Sequence, residues 1–102
     1  MIEITKRAVE EIKLSARNPE VEGLIIRFAV EETEEGFRYL MGFDERKEDD
    51  IHLESNGLEY LLSYSQKKHL EGTTVDFDEL NKDEGYHFIF NNPNDKNYKI
   101  KS

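Results

Sequence analysis

Apolar residues at Ile4, Ala8, Val9, Ile12 and Ala16 recur every three or four positions, which places them on one stripe of a helix. Thr5 stands where an N-cap is needed. Asn18-Pro19 closes the segment, because the residue before a proline is driven out of the helical region. A helix over about residues 5 to 17 is predicted. From Leu24 onward the period changes to two: Leu24, Ile26, Phe28 and Val30 share one face, Arg27 and Glu31 the other, as in a strand. The acidic segment Glu31-Glu32-Thr33-Glu34-Glu35-Gly36 has nothing to offer a core. It reads as the turn of a hairpin whose second arm carries Phe37, Tyr39, Met41 and Phe43 at period two. Further strands are expected at Ile51–Glu54, Leu58–Leu62, Thr73–Phe77 and Tyr86–Phe90. Ser65–Leu70 reads as a short helical turn closed by Gly72. The expected fold is mainly β with an N-terminal helix (α+β): a compact sandwich or barrel of about six strands plus that second helical turn.

The chain of 102 residues is long enough for one modest core and too short for two, so one domain over residues 1–95 is expected, followed by a flexible tail over 96–102. Five tyrosines and six phenylalanines, bunched in the alternating runs, oppose disorder. With 23 acidic against 14 basic side chains the net charge is −9. Such a surface repels nucleic-acid phosphates and anionic membranes, so neither is expected as a partner. The one basic cluster, Lys96, Lys99 and Lys101, falls in the tail. The N-terminus lacks the apolar core of a signal peptide and no apolar run is long enough to span a membrane, which makes a cytoplasmic location the expectation.

Cysteine is absent. Disulfides, thiolate nucleophiles, zinc ribbons and ordinary iron–sulfur ligation all need sulfur and are removed together. His52, His69 and His87 are the remaining nitrogen ligands, at spacings that match no local metal motif. His52 and His87 fall opposite the apolar faces of their strands, and His69 on the exposed side of its helical turn. Two acidic clusters, Glu31 to Glu35 and Asp44 to Asp50, lack the geometry of a calcium loop and read as solvated turns. Tyr86, Phe88 and Phe90 read as a core-facing strand. Neither a nucleophile elbow nor a phosphate-cradling glycine loop is present, so the chain is expected not to be an enzyme and to carry no cofactor.

One order of motifs adds to this. Ile4-Thr5 with Ala8 and Ile12 precedes Gly23-Leu24-Ile25-Ile26-Arg27, then Gly36-x-x-Tyr39-x-x-x-Phe43 and an acidic turn ending Asp49-Asp50-Ile51. Leu70-Glu71-Gly72-Thr73-Thr74-Val75-Asp76-Phe77 and Gly85-Tyr86-x-Phe88-x-Phe90-Asn91-Asn92-Pro93-Asn94 complete it. Over roughly residues 2 to 98 the chain resembles the A-type iron–sulfur carrier family, the HesB-like domain. That family binds iron or a cluster through one cysteine before the Gly-x-x-Tyr strand and two in a C-terminal Cys-x-Cys. The resemblance places Glu34, Lys99 and Lys101 at those positions. A carboxylate keeps a hard oxygen ligand, whereas an ammonium cannot coordinate a metal. Glu34 is therefore the one candidate metal ligand among the former ligand positions.

The segments Tyr39–Asp44, Glu48–Leu53 and Tyr86–Tyr98 resemble most closely the family's cysteine-less DsrR branch of sulfur-oxidising bacteria. This implies a non-enzymatic accessory or regulatory protein of cytoplasmic sulfur oxidation. It would be a monomer acting by contact with a protein partner of the sulfur-oxidation or iron–sulfur pathway. The alternative is a weak iron carrier in cluster assembly that uses Glu34 with histidine or carboxylate ligands.

Overall fold

Residues 1–79 and 81–98 are described in the computed structural model. A two-residue strand, β1 (Glu3–Ile4), precedes helix α1 (Lys6–Ser15), and a 3-10 turn at Pro19–Val21 leads to β2 (Ile25–Thr33). β3 (Gly36–Asp44), β4 (Asp50–Ser55) and β5 (Leu58–Ser63) follow. A 3-10 turn at Tyr64–Gln66 then runs into α2 (Lys67–Leu70), before β6 (Thr74–Glu79) and β7 (Tyr86–Asn91). The strands form two sheets, one of four in the order β3-β2-β5-β4 and one of three in the order β1-β6-β7. The expected choice between sandwich and barrel is thereby resolved: the sheets pack face to face and do not close. Phe90 of β7 stacks on Tyr39 of β3 at 4.6 Å and meets Phe28 of β2 edge-on at 6.2 Å, joining the two layers.

The helix stripe is corrected at both ends. Ala8, Val9 and Ile12 are the buried helical residues, while Ala16 is an exposed C-cap. Ile4 is fully buried, but as part of β1. Its N–H donates to Ser55 Oγ at 2.9 Å and its carbonyl accepts from Asn56 Nδ2 at 2.6 Å. On the other edge Glu3 N–H and Thr5 N–H donate to the carbonyls of Thr73 and Val75. Two residues are too few to show a period, and the pairing comes from chain some seventy positions away. Thr5 is the N-cap as expected: its Oγ1 accepts from Ala8 N–H at 3.3 Å and donates to Asp76 Oδ1 at 2.6 Å. Arg7 holds the same Asp76 at 2.7 and 2.6 Å, fastening the helix to β6.

The β2–β3 hairpin is longer than the pattern implied. Glu31, Glu32 and Thr33 stay in β2 although exposed, paired with Arg38, Phe37 and Gly36, and only Glu34 and Glu35 form the turn. Strand pairing needs backbone hydrogen bonds and not burial, so acidic residues continue the ladder here. Ile26, Phe28 and Val30 are buried on the core face with Tyr60, Leu62, Leu70 and Val75.

Candidate functional site

Glu34 sits exposed at the tip of the β2–β3 hairpin, and the turn beneath it is tightly built. Thr33 Oγ1 donates to the Gly36 carbonyl at 2.6 Å and accepts from Glu35 N–H at 3.3 Å. The segment after β7 folds back onto this turn. Asp95 Oδ1 accepts from Phe37 N–H at 3.3 Å and Asn97 N–H at 3.1 Å, its Oδ2 accepts from the Tyr39 hydroxyl at 2.8 Å, and the Asn97 side-chain amide donates to the Glu35 carbonyl. Burial works to raise the Asp95 pKa, but the Asn97 N–H, the Tyr39 hydroxyl and the Phe37 N–H outweigh it and hold the carboxyl below its usual range. Burial first, and then the Asp95 hydrogen bond, push the Tyr39 phenol up.

Gly36 makes this clasp feasible. Its φ of +127° disfavours any residue with a Cβ, and a Cβ there would run into the side chains of Asn97 and Asp95. An open groove of about 660 Å³ lies along the turn, lined by Thr33 to Arg38 and Asn97.

His69 faces the other side of the hairpin. It is half-buried and not on an exposed face: its ring packs edge-on against Phe37 at 5.5 Å, and its Nδ1 lies 3.6 Å from Glu32 Oε1. Glu32, His69, Asn94 and Lys96 line a second recess of about 320 Å³ next to the first. His52 and His87 are not part of this constellation. They stand on β4 and β7 in different sheets, beside Glu59 and Glu84 respectively. Among the described residues no group of three or more His, Asp or Glu side chains is disposed to hold a metal ion. The expected positions Lys99 and Lys101 lie outside the described residues. Before them, Tyr98 N–H donates to the Asp95 carbonyl at 2.9 Å.

Sequence reasoning missed the residues that support the site. Asn92, 2% exposed, donates through Nδ2 to the His69 carbonyl at 2.7 Å and accepts through Oδ1 from Asn94 N–H at 2.9 Å. Asn94 Nδ2 donates to the Glu71 carbonyl at 2.8 Å. Pro93 lies over Gly72, which has φ +79°. The Asn-Pro-Asn and Leu-x-Gly-Thr elements are thus two halves of one contact, and the buried amide is the signal that spacing alone could not assign.

The second acidic cluster is not a freely solvated turn. Arg27 donates through Nε to Asp44 at 2.8 Å and through both terminal nitrogens to Asp50, whose side chain is 1% exposed, while the Lys47 ammonium meets Asp44 at 2.9 Å. The Arg27 hydrogen bonds, against the opposing effect of burial, hold the Asp50 carboxyl at about 2.

Comparison with known proteins gives the same outline. A family model described as iron-sulphur cluster biosynthesis matches residues 1–101. An uncharacterised protein of Bradyrhizobium diazoefficiens is 36% identical over 96 residues, covering 92% of this chain and 89% of that protein. The crystal structure of IscA with a [2Fe-2S] cluster superposes with a TM-score of 0.74 at 29% identity, covering 92% of this chain and 86% of the other. Escherichia coli SufA, described as involved in biosynthesis of iron-sulfur clusters, gives 0.71 at 28% identity, covering 90% and 80%.

Proposed function

The chain belongs to the iron–sulphur cluster biosynthesis family, and from that premise we propose that it is a non-enzymatic accessory or regulatory member acting by protein–protein contact without carrying a cluster on family cysteines. The observation that carries this reading is the clasp of Gly36, Asp95 and Asn97 around the turn that holds Glu34, the residue the family resemblance sets at a ligand position. The fold is that of the family, while cysteine thiolates are absent from the 102-residue chain. A protein surface can survive such a loss; thiolate ligation cannot. The resemblance of Tyr39–Asp44 and Tyr86–Tyr98 to the cysteine-less DsrR branch supports sulfur oxidation in the cytoplasm as the setting. Without a shared cluster to bridge two copies, the protein is expected to act as a monomer.

Affinity capture from native lysate at moderate salt, followed by mass spectrometry, tests this. The expected result is a specific partner from the sulfur-oxidation or iron–sulfur pathway. Recovery of no specific partner would refute it.

A second reading is favoured by the Glu32–His69 pair, 3.6 Å apart, of which Glu32 precedes Glu34 by two positions on the same hairpin. These donors suit ferrous iron, with a further ligand supplied by a neighbouring chain. Anaerobic calorimetry with ferrous iron is then expected to give heat that Glu34→Ala abolishes, and heat no greater than dilution would end this reading.

A further inference from the structure

On the edge of the four-stranded sheet, Ile51 and Leu53 of β4, Leu62 of β5, Leu70 of α2 and Ile2 wall an apolar cavity of about 220 Å³. Its walls are fixed in advance. Ile2 N–H donates to the buried Tyr60 hydroxyl at 3.1 Å, the Met1 carbonyl accepts from Gly72 N–H at 3.1 Å, and Leu62 and Leu70 are 2% and 1% exposed. The cavity opens to solvent past Lys67 and Glu71. These two residues, with Tyr64, Ser65 and Lys68, also line the shelf outside. Tyr64 in the 3-10 turn, Lys67 and Lys68 in α2 and Glu71 just after it line that shelf together.

Two physical features define what fits. A closed apolar cavity of about 150 Å³ is large enough for a benzene ring. This one, of comparable size and open at one side, admits a single leucine, methionine or phenylalanine side chain. It is smaller than the roughly 300–1,000 Å³ typical of sites that enclose whole small ligands. The rim adds charge. Glu71 is paired with the Met1 amino group and also feels Lys67, so the mouth and its shelf carry the Met1, Lys67 and Lys68 cations against one carboxylate. On a chain of net charge −9, two adjacent lysines beside an apolar opening are where an acidic segment is attracted and not repelled. Tyr64, 71% exposed, supplies the amphipathic aromatic surface typical of a contact hot spot.

We propose that this cavity and its lysine shelf are a docking site for an acidic segment of a partner protein, with one bulky apolar side chain inserted between Leu53, Leu62 and Leu70 and flanking carboxylates on Lys67 and Lys68. The proposal rests on the protein-contact reading above and specifies the chemistry of the partner.

The test uses the full ¹⁵N-labelled chain and three capped peptides, EELEE, EEAEE and KKLKK. EELEE is expected to shift the backbone amides of Ile51, Leu53, Leu62 and Lys67 to Glu71. EEAEE is expected to bind about tenfold more weakly for want of the apolar anchor, and KKLKK not at all. A variant with both Lys67→Glu and Lys68→Glu, exposed positions whose change leaves the core intact, is expected to lose at least about tenfold in affinity for EELEE. Equal binding of EELEE and EEAEE, shifts centred elsewhere, or no shifts at millimolar peptide would overturn the site. So would octanoate shifting these amides where EELEE does not, which would mark a small-ligand pocket. In lysate capture, recovery of the same partner in equal yield by the wild type and the double variant would overturn this site and leave the protein-contact reading standing. Recovery of none by either would remove both.

Discussion

The Tyr39 hydroxyl donates to Asp95 Oδ2 at 2.8 Å, tying the second strand of the β2–β3 hairpin to the segment that follows the last strand. Asp95 also receives the N–H groups of Phe37 and Asn97, so one carboxylate closes the turn that carries Glu34. Tyr39→Phe removes one of three donors and is expected to cost about 1 kcal/mol. Asp95→Ala strands all three and is expected to cost about 2–3 kcal/mol. Thermal unfolding should show Tm falling by roughly 4–8 °C per kcal/mol in a domain of this size. Equal Tm values for the two variants would contradict the clasp.

Gly36→Ala is expected to destabilise by about 1–3 kcal/mol, since φ +127° strains any residue with a Cβ and the added methyl displaces Asn97. Asn97→Ala clears that space. The double variant should therefore cost less than the sum of the two single changes, by at least about 0.5 kcal/mol in urea unfolding. Strict additivity would show that Asn97 does not rest on Gly36.

Asp50→Asn is expected to cost about 3 kcal/mol, because it leaves the Arg27 guanidinium, only 17% exposed, without its fully buried partner. Asp44→Asn should cost less than Asp50→Asn, its carboxylate being partly solvated. A reversed order in chemical denaturation would mean that Asp44 is the stronger anchor.

Acid should unfold the protein through these same carboxylates. Asp50 titrates at about 2 in the folded chain against a reference of 3.8, mainly through Arg27. Asp76, held by Arg7, and Asp95 are also lowered. The unfolded chain takes up protons first as pH falls, so the stability they contribute is complete above about pH 5 and is lost between about 4 and 2. The urea midpoint measured against pH should be flat near neutrality and drop across that window. A midpoint unchanged down to pH 2 would show that these ion pairs contribute nothing.

Local order was legible wherever a periodic run buried its own face. Ala8, Val9 and Ile12, and then Ile26, Phe28 and Val30, announced a helix and a strand because each pattern is decided within one element. Glu34 is singled out by the family resemblance alone, and the structure sets it with Glu35 in the two-residue turn between β2 and β3. Asp50 was misjudged because an acidic turn looks solvated until Arg27, 23 positions earlier, arrives beside it. His69 was misplaced for a similar reason: its helical turn is short, and Phe37 of the hairpin is what covers it.

Lack of thiols needed no coordinates, since the absence of cysteine is a property of covalent composition and holds in any conformation. The alternating faces and the capped helix were likewise written in neighbouring residues. Which distant groups meet was decided only by the packed chain. Asn97 over Gly36, Asn92 beneath His69, and an apolar cavity facing two lysines each join positions with no periodic relation. Such contacts form when burial forces polar groups to find partners and side chains to fill space, and that requirement exists only once both sheets are in place.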